Sequence, residues 1–315
     1  MFSKIRNIIR DGKRFLITSH IDPDGDALGS AFSLYWVLKS LGKDPCVYFK
    51  DNVPYQYDFL PKPPNLVHAL PEETFDAVFV LDCGDLFRIG DGFEQLKNMG
   101  TVISIDHHET NEAFGAINIV ERGASSTAEV LYRLYKSMKI DFSYNIAVNV
   151  YTAVFTDTGS LRYDNAAPAA FIICEKMVET GVKPSYVAQM VYESHPKERF
   201  LLLGEVLGTL QTFDGNKIAM AHVTEEMFRR TGTTSEHTDG FSEEFRKIRG
   251  VEVSVFIRQT GEKRYKISMR SKGVVDVALI CSRFGGGGHK NAAGCTIDGD
   301  LMEVEGQIIK AFNIE

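Results

Sequence analysis

At 315 residues, with 44% apolar and 24% charged side chains, the chain has the length of two ordinary domains and the make-up of a globular protein. A net charge of −7 excludes a protein that coats nucleic acid wholesale, because that task leaves a basic footprint. The whole acidic excess falls in residues 1–205, with 27 Asp and Glu against 20 Lys and Arg, while residues 206–315 hold 15 of each. An acidic half with clustered Asp and His suits divalent cations, and a neutral half with a local basic patch suits an anionic ligand. Cys46, Cys83, Cys174, Cys281 and Cys295 are odd in number and not closely paired, so they read as reduced and mostly buried thiols. The first residues carry no secretory pattern and no apolar run is long enough to cross a bilayer, so no membrane association and a cytoplasmic location are expected.

In chain order, the apolar run Arg14 to Ser19 predicts a strand ending at His20. The turn Ile21-Asp22-Pro23-Asp24-Gly25-Asp26 follows, then a helix from Ala27 to Leu41 with Leu28, Phe32, Tyr35 and Leu38 at helical spacing. Pro45 to Lys50 predicts a second strand, leading to a Pro-rich connection over Asn52 to Pro64. The continuous apolar run Asp76 to Leu81 reads as a parallel-sheet strand buried on both faces; it ends at Asp82-Cys83-Gly84-Asp85. Val102 to Ile105 ends in the same way at Asp106-His107-His108. Right-handed connections bring such strand ends to one edge, where open α/β sheets carry their chemistry. Ser126-Thr127-Ala128-Glu129 reads as a capping box opening a helix to Met138, and a phosphate near that helix start is the alternative. A further helix from Tyr144 to Phe155 leads into Thr156-Asp157-Thr158-Gly159, and helices over 167–181 and 184–210 follow, the latter broken near His195-Pro196. Beyond Lys217 the pattern turns to strands at Lys217–Val223, Val251–Ile257 and Arg264–Ser271, helices near 240–249 and 275–284, a glycine loop at 285–288, a last strand and a last helix. The expected architecture is therefore an α/β, parallel-sheet N-terminal domain (1–185), a helical connector (186–210) and a smaller α+β domain (211–315).

His20, Asp24, Asp26, Asp82, His107 and Asp157 form a set of nitrogen and oxygen donors drawn from separate element ends. Two divalent cations fit them: one with His20, Asp24 and Asp82, the other with Asp26, His107, Asp157 and the same Asp82, provided that an extended turn lets Asp24 and Asp26 face different ions. Imidazole with carboxylate and no thiolate favours Mn²⁺ over zinc, with Mg²⁺ or Co²⁺ as substitutes. Two such ions stabilise the attacking and leaving oxygens of a phosphoryl displacement. His108 is then left to meet the phosphate, so His108, Asp82 and Asp106 are the candidate catalytic residues. Asp22 reads as a turn residue, Cys83 as packing, and His68, His195, His222 and His237 as structural.

The second domain has eight basic residues between Arg258 and Lys290 against Glu262 and Asp276. Strand alternation places Lys266, Ser268 and Arg270 on one face, a surface for phosphates or sugar hydroxyls. Gly286, Gly287 and Gly288 let a backbone approach a ligand with N–H groups available to an anion, and His289 suits a base or a phosphate. The plainer alternatives are a flexible glycine loop and a solvent-facing basic strand.

His20 to Ser30, Asp82, Asp106-His107-His108 and Thr156-Asp157-Thr158-Gly159 resemble, in order, the four motifs of the DHH phosphoesterase superfamily. Lys266 to Ser271 and Gly285 to His289 resemble its DHHA1 substrate domain, so the likeness covers nearly the whole chain. The compact length is similar to that of members combining oligoribonuclease and pAp phosphatase activity. The resemblance implies a di-manganese site on the six residues above, His108 near the phosphate, substrate recognition by Arg270 and His289 across an interdomain cleft, and a homodimer. It implies hydrolysis of very short RNA oligonucleotides to mononucleotides and of pAp to AMP. Cyclic or linear dinucleotides are the alternative substrates, and a non-catalytic nucleotide-binding regulator is the distant alternative.

Overall fold

The computed structural model describes residues 2–90 and 92–312, which divide between two compact units at Ser194 and His195. In the first unit the elements run α1 (Ser3–Asp11), β1 (Arg14–Thr18), α2 (Gly25–Ser40), β2 (Asp44–Tyr48), β3 (Leu66–Val67), β4 (Ala77–Leu81), α3 (Leu96–Met99), β5 (Thr101–Asp106), β6 (Ile117–Val120), α4 (Thr127–Ser137), α5 (Tyr144–Asp157), α6 (Pro168–Glu179) and α7 (Pro184–Tyr192).

The first sheet has the order β3-β2-β1-β4-β5-β6, and every pair in it is parallel. Its strands are continuously apolar because both faces are covered. Phe15, Ile17, Phe79, Leu81, Ile103 and Ile105 pack into the core shared with α2, α4 and α5, while Leu16, Val78, Val80 and Val102 pack into a separate core on the other face, with Leu86, Ile89, Leu96 and Met99. The chain leaves β1 toward β2 on one side and returns to β4 on the other, so the switch of direction lies between β1 and β4. Open sheets place their ligand crevice at the carboxyl ends of such a pair. Short strands β3 and β6 at the edges have no clear counterpart in the sequence pattern, because each is brief and only half-buried.

Two glycines decide how α2 meets α5. A Cβ on Gly29 would lie 2.4 Å from the Asn149 carbonyl oxygen, and one on Gly25 would lie 2.3 Å from the Thr156 hydroxyl oxygen. The absence of side chains at these positions, one helical turn apart, brings the start of α2 against the end of α5.

In the second unit the elements are α8 (Lys197–Leu207), β7 (Gln211–Phe213), β8 (Ile218–Val223), α9 (Glu225–Thr231), α10 (Phe241–Arg246), β9 (Val253–Gly261), β10 (Arg264–Ser271), α11 (Val277–Ser282), β11 (Gly287–His289), β12 (Ala292–Asp298) and α12 (Leu301–Ala311). They form a mixed sheet in the order β11-β12-β10-β9-β8-β7, in which only β8 and β9 run parallel. The stretch read as one connector is divided. Val187 and Val191 of α7 pack in the first unit's core, whereas Leu202 and Val206 of α8 pack with Phe241, Phe245 and Phe256 of the second. Part of the glycine loop is a strand, since Gly287 to His289 pair with β12. Among the described residues, no helix is long and apolar enough to cross a membrane.

Candidate metal centre

Each candidate ligand of the first unit sits where an element ends. His20 lies two residues beyond β1, Asp82 directly follows β4, and Asp106 closes β5, with His107 and His108 just beyond it. Asp157 is the last residue of α5, two places beyond the expected helix end at Phe155. Asp24 and Asp26 are separated by a helix start and not by an extended turn. Asp24 is the N-cap of α2, its Oδ1 accepting from the backbone N–H of Asp26 at 3.1 Å and of Ala27 at 3.0 Å, while Asp26 already lies in the first turn. Two residues of helix rotate the side chain by roughly 200°, so the two carboxylates point to different imidazoles.

The distances define one cluster centred on Asp82. His20 Nε2 lies 3.8 Å from Asp82 Oδ2 and 3.9 Å from Asp24 Oδ1. His107 Nε2 lies 3.6 Å from Asp82 Oδ1, 3.6 Å from Asp157 Oδ2 and 3.9 Å from Asp26 Oδ2. These separations exceed a hydrogen bond. They match the ~3–4.5 Å between two ligands of one ion at ~2.0–2.3 Å.

The protons give the stronger test of fit. His20 Nδ1 stands 2.7 Å from the Ile21 carbonyl oxygen and His107 Nδ1 stands 3.2 Å from that of Ala124. A carbonyl only accepts, so both Nδ1 atoms carry the proton and donate it. In the neutral rings Nε2 then presents a lone pair to carboxylate oxygens, acceptor facing acceptor. A cation between them resolves that arrangement, and an imidazole with its second nitrogen anchored is the usual metal-ligand form. The residues therefore fit divalent cations.

Without a metal ion, protons supply the positive charge that the carboxylates call for. Burial and the neighbouring Asp82 and Asp157 push Asp26 well above the usual carboxylate range. Burial likewise pushes Asp157 up to about 7. Burial opposes the charged form of His107, but Asp157, Asp82 and Asp26 outweigh it and lift the ring to about 10. Asp82 goes the other way: burial would raise it, yet His20, His108 and His107 hold it far below the carboxylate range.

Asp106 has a different place. Its Oδ1 accepts from His108 Nδ1 at 2.7 Å and from the His107 backbone N–H at 2.8 Å, and its Oδ2 accepts from Asn111 Nδ2 at 2.7 Å. With those oxygens engaged, Asp106 fixes the orientation of the His108 ring. Burial works against a charged His108, and Asp106 overcomes it, so the ring's pKa rises.

Several supporting residues carry no motif of their own. Thr127 Oγ donates to Asp82 Oδ1 at 3.0 Å, Ser30 Oγ to Asp26 Oδ1 at 3.0 Å, and Asn165 Nδ2 reaches Asp157 Oδ2 at 3.4 Å. The N-terminus of α4, where a phosphate was the alternative to a cap, already holds a carboxyl group of the protein itself. The backbone N–H groups of Thr127 and Ala128 donate to Asp26 at 2.6 and 3.1 Å. Only half of the expected capping box forms: Ser126 accepts from Glu129 N at 3.1 Å, but the Glu129 carboxylate turns to the N–H and hydroxyl of Ser125. Cys83 is buried, its Sγ donating to the Asp85 carbonyl at 3.0 Å. Asp22 adopts a left-handed φ of 51° as a turn residue. His68, His222 and His237 bond to Phe49 O, Glu305 and Thr234, and His195 packs on Phe200.

In the second unit Lys266, Ser268 and Arg270 share the half-buried face of β10, while Tyr265, Ile267 and Met269 pack into the core. Arg270 Nε donates to Glu243 of α10 at 2.6 Å, a partner without a sequence signal. The glycines correct one expectation. Gly286 donates its N–H to the Cys281 carbonyl at 3.0 Å, so that group is not available to an anion. A Cβ on Gly286 would lie 2.2 Å from the Gly294 carbonyl oxygen, and one on Gly288, whose φ is +141°, would lie 2.5 Å from that of Ala292. Close packing on β12 is what requires glycine here. His289 pairs with Ala292 in the ladder.

Residues 14–154 match the N-terminal domain model of the DHH family, and residues 209–313 match the DHHA1 domain. The bifunctional oligoribonuclease and PAP phosphatase NrnA of Thermus thermophilus is 34% identical over 95% of this chain and 89% of its own length. The protein of the same name from Bacillus subtilis is 22% identical over 90% of this chain and 88% of its own. An exopolyphosphatase-related protein from Bacteroides fragilis superposes with a TM-score of 0.91 at 27% identity, covering 99% of this chain and 95% of that one. This chain belongs to the DHH family, and it is an enzyme that hydrolyses phosphoester bonds.

Proposed function

We propose that the chain hydrolyses very short RNA oligonucleotides to mononucleotides and pAp to AMP, using two Mn²⁺ ions. The observation that carries the reading is Asp82, with Nε2 of one imidazole 3.8 Å from one oxygen and Nε2 of a second 3.6 Å from the other. His20, Asp24 and Asp82 would hold one ion, and Asp26, His107, Asp157 and Asp82 the other; Mg²⁺ or Co²⁺ would substitute with lower activity. When bound, such a pair neutralises phosphoryl oxygens and lowers the pKa of water. Asp106 fixes the His108 ring so that Nε2 donates to a phosphoryl oxygen or to the departing nucleoside oxygen, and Asn111 fixes Asp106. In the second unit Arg270, Lys266 and Ser268 would bind phosphate and sugar, with Glu243 holding the guanidinium in place, and His289 and the backbone of Gly287 and Gly288 would border the nucleotide.

The 34% identity to the Thermus enzyme over almost the full length supports this substrate class. The test is chromatography of products from a linear diribonucleotide, pAp and a cyclic dinucleotide, each with Mn²⁺, Mg²⁺ or Co²⁺. Mononucleotides from the first and AMP from the second are expected. Turnover confined to the cyclic substrate would replace this reading with a cyclic-dinucleotide phosphodiesterase, and tight binding without product would replace it with a regulator. Arg270→Ala is expected to raise KM with little change in kcat, since it removes binding and leaves the ions untouched.

A further inference from the structure

Asp157 stands in the last turn of α5, where backbone carbonyls run out of helical partners. The chain then reverses through Gly159, Ser160 and Leu161, three successive residues with φ of 55°, 64° and 62°. Such backbone is strained for the two that carry a Cβ, and it persists only where the surroundings enforce it. The Thr158 carbonyl closes the reversal by accepting from the N–H groups of Arg162 at 2.9 Å and Tyr163 at 3.1 Å. The reversal returns Asn165 to the side of Asp157. Asn165 Nδ2 donates to the Ser125 carbonyl at 3.0 Å and to the Asp157 carbonyl at 3.2 Å, and Asp157 Oδ2 lies 3.4 Å from it. All three neighbours are acceptors, so the amide faces them with its NH2 group. Its Oδ1 is buried and meets no donor among the described residues, so the side chain is placed for its N–H groups.

Ser125 leads to His107. The carbonyl of Ala124, one residue earlier, accepts from His107 Nδ1 at 3.2 Å. Ser125 is itself locked in place by buried Glu129, whose Oε2 accepts from its N–H at 2.9 Å and its hydroxyl at 2.6 Å. One amide therefore joins the segment that anchors His107 to the residue whose carboxylate stands 3.6 Å from His107 Nε2. The other group of ligands draws its support elsewhere, His20 from the Ile21 carbonyl and Asp24 from the first turn of α2.

We propose that Asn165 is a positioning residue for the cation held by His107 and Asp157, and that it supports that cation and not the one at His20 and Asp24. The proposal rests on the two-cation reading above and extends it by separating the two positions. A hydrogen-bond partner behind a metal ligand fixes the ligand's direction, and losing one lowers metal affinity about 10- to 100-fold. Asn165 stands behind two ligands of the same ion, so its loss frees the Asp157 carboxylate and loosens the segment under His107 together.

Mn²⁺ titration decides the matter, read by metal content after gel filtration and by electron paramagnetic resonance of the bound ions. The unaltered chain, Asn165→Ala and Asn165→Leu are compared; leucine keeps the branched shape and lacks the N–H groups. The unaltered chain is expected to hold two ions coupled through Asp82. Both variants should keep one ion at unchanged affinity and bind the second about 10- to 100-fold more weakly. At limiting Mn²⁺ their spectrum should then be that of an isolated ion. A merely structural role would weaken both ions alike. Two equally tight ions in either variant, an equal loss of both ions, or unfolding of both variants overturns the role of Asn165 and leaves the two-cation site intact. Fewer than two ions on the unaltered chain removes the reading and the proposal together.

Discussion

Asp82 combines three constraints in one residue: a left-handed backbone with φ of +53°, a fully buried carboxylate, and two imidazoles aimed at its two oxygens. A non-glycine residue in that conformation is tolerated best by Asp and Asn and commonly marks function. Asp82→Asn keeps the shape and removes the charge; it should abolish turnover and most metal binding, read by activity and by metal content after gel filtration. Retention of both would end the assignment. Asn111→Ala makes a finer test, because Asn111 touches Asp106 and the Cys83 carbonyl and none of the six candidate ligands. It should lower kcat about 10- to 100-fold with the bound metal retained. An unchanged kcat would show that His108 needs no such support.

Helices α2 and α5 are held at a distance set by the missing side chains of Gly25 and Gly29. Gly29→Ala forces a methyl group to within 2.4 Å of the Asn149 carbonyl oxygen. Relief requires α2 to shift, which moves Asp26 away from Asp157 and costs about 1–3 kcal/mol. The melting temperature and the Mn²⁺ affinity should therefore fall together; a lower melting temperature at unchanged affinity would separate the helix contact from the site. Gly204 gives the opposite expectation. It lies inside α8, and a Cβ there meets nothing within 4 Å. Gly204→Ala should stabilise the second unit by about 0.5–1 kcal/mol through the helix propensity alone, measurable in urea unfolding.

Taken whole, the protein couples metal to protons. Free of metal, Asp157 titrates at about 7 and His107 at about 10, so near pH 6 both hold protons that a cation has to displace. Affinity should therefore weaken as pH falls, by about tenfold or more between pH 8 and pH 6, with proton release measured by calorimetry in buffers of different ionisation enthalpy. A pH-independent affinity would mean that the cation does not take the place of those protons. By the same linkage, a divalent cation at a hundredfold excess over its Kd should stabilise the fold by about 2.7 kcal/mol, read as a rise in melting temperature.

The candidate ligands and their positions at element ends were legible in the residue order, because a buried parallel strand is written as an unbroken apolar run and anything polar at its end stands out. Two units and their fold classes were legible for the same reason, since alternation in β10 and continuity in β4 belong to different sheets. Short edge strands, and the division of the connector between two cores, were not, because brief half-buried segments have no period to read. Tertiary structure alone decided that the helix start at Asp24 turns two carboxylates to different imidazoles, that α4 points its N-terminus at Asp26, and that Thr127 and Asn111 hold the acids. Those contacts join residues as much as a hundred positions apart, and sequence spacing carries no information about such pairs until the sheet closes the distance.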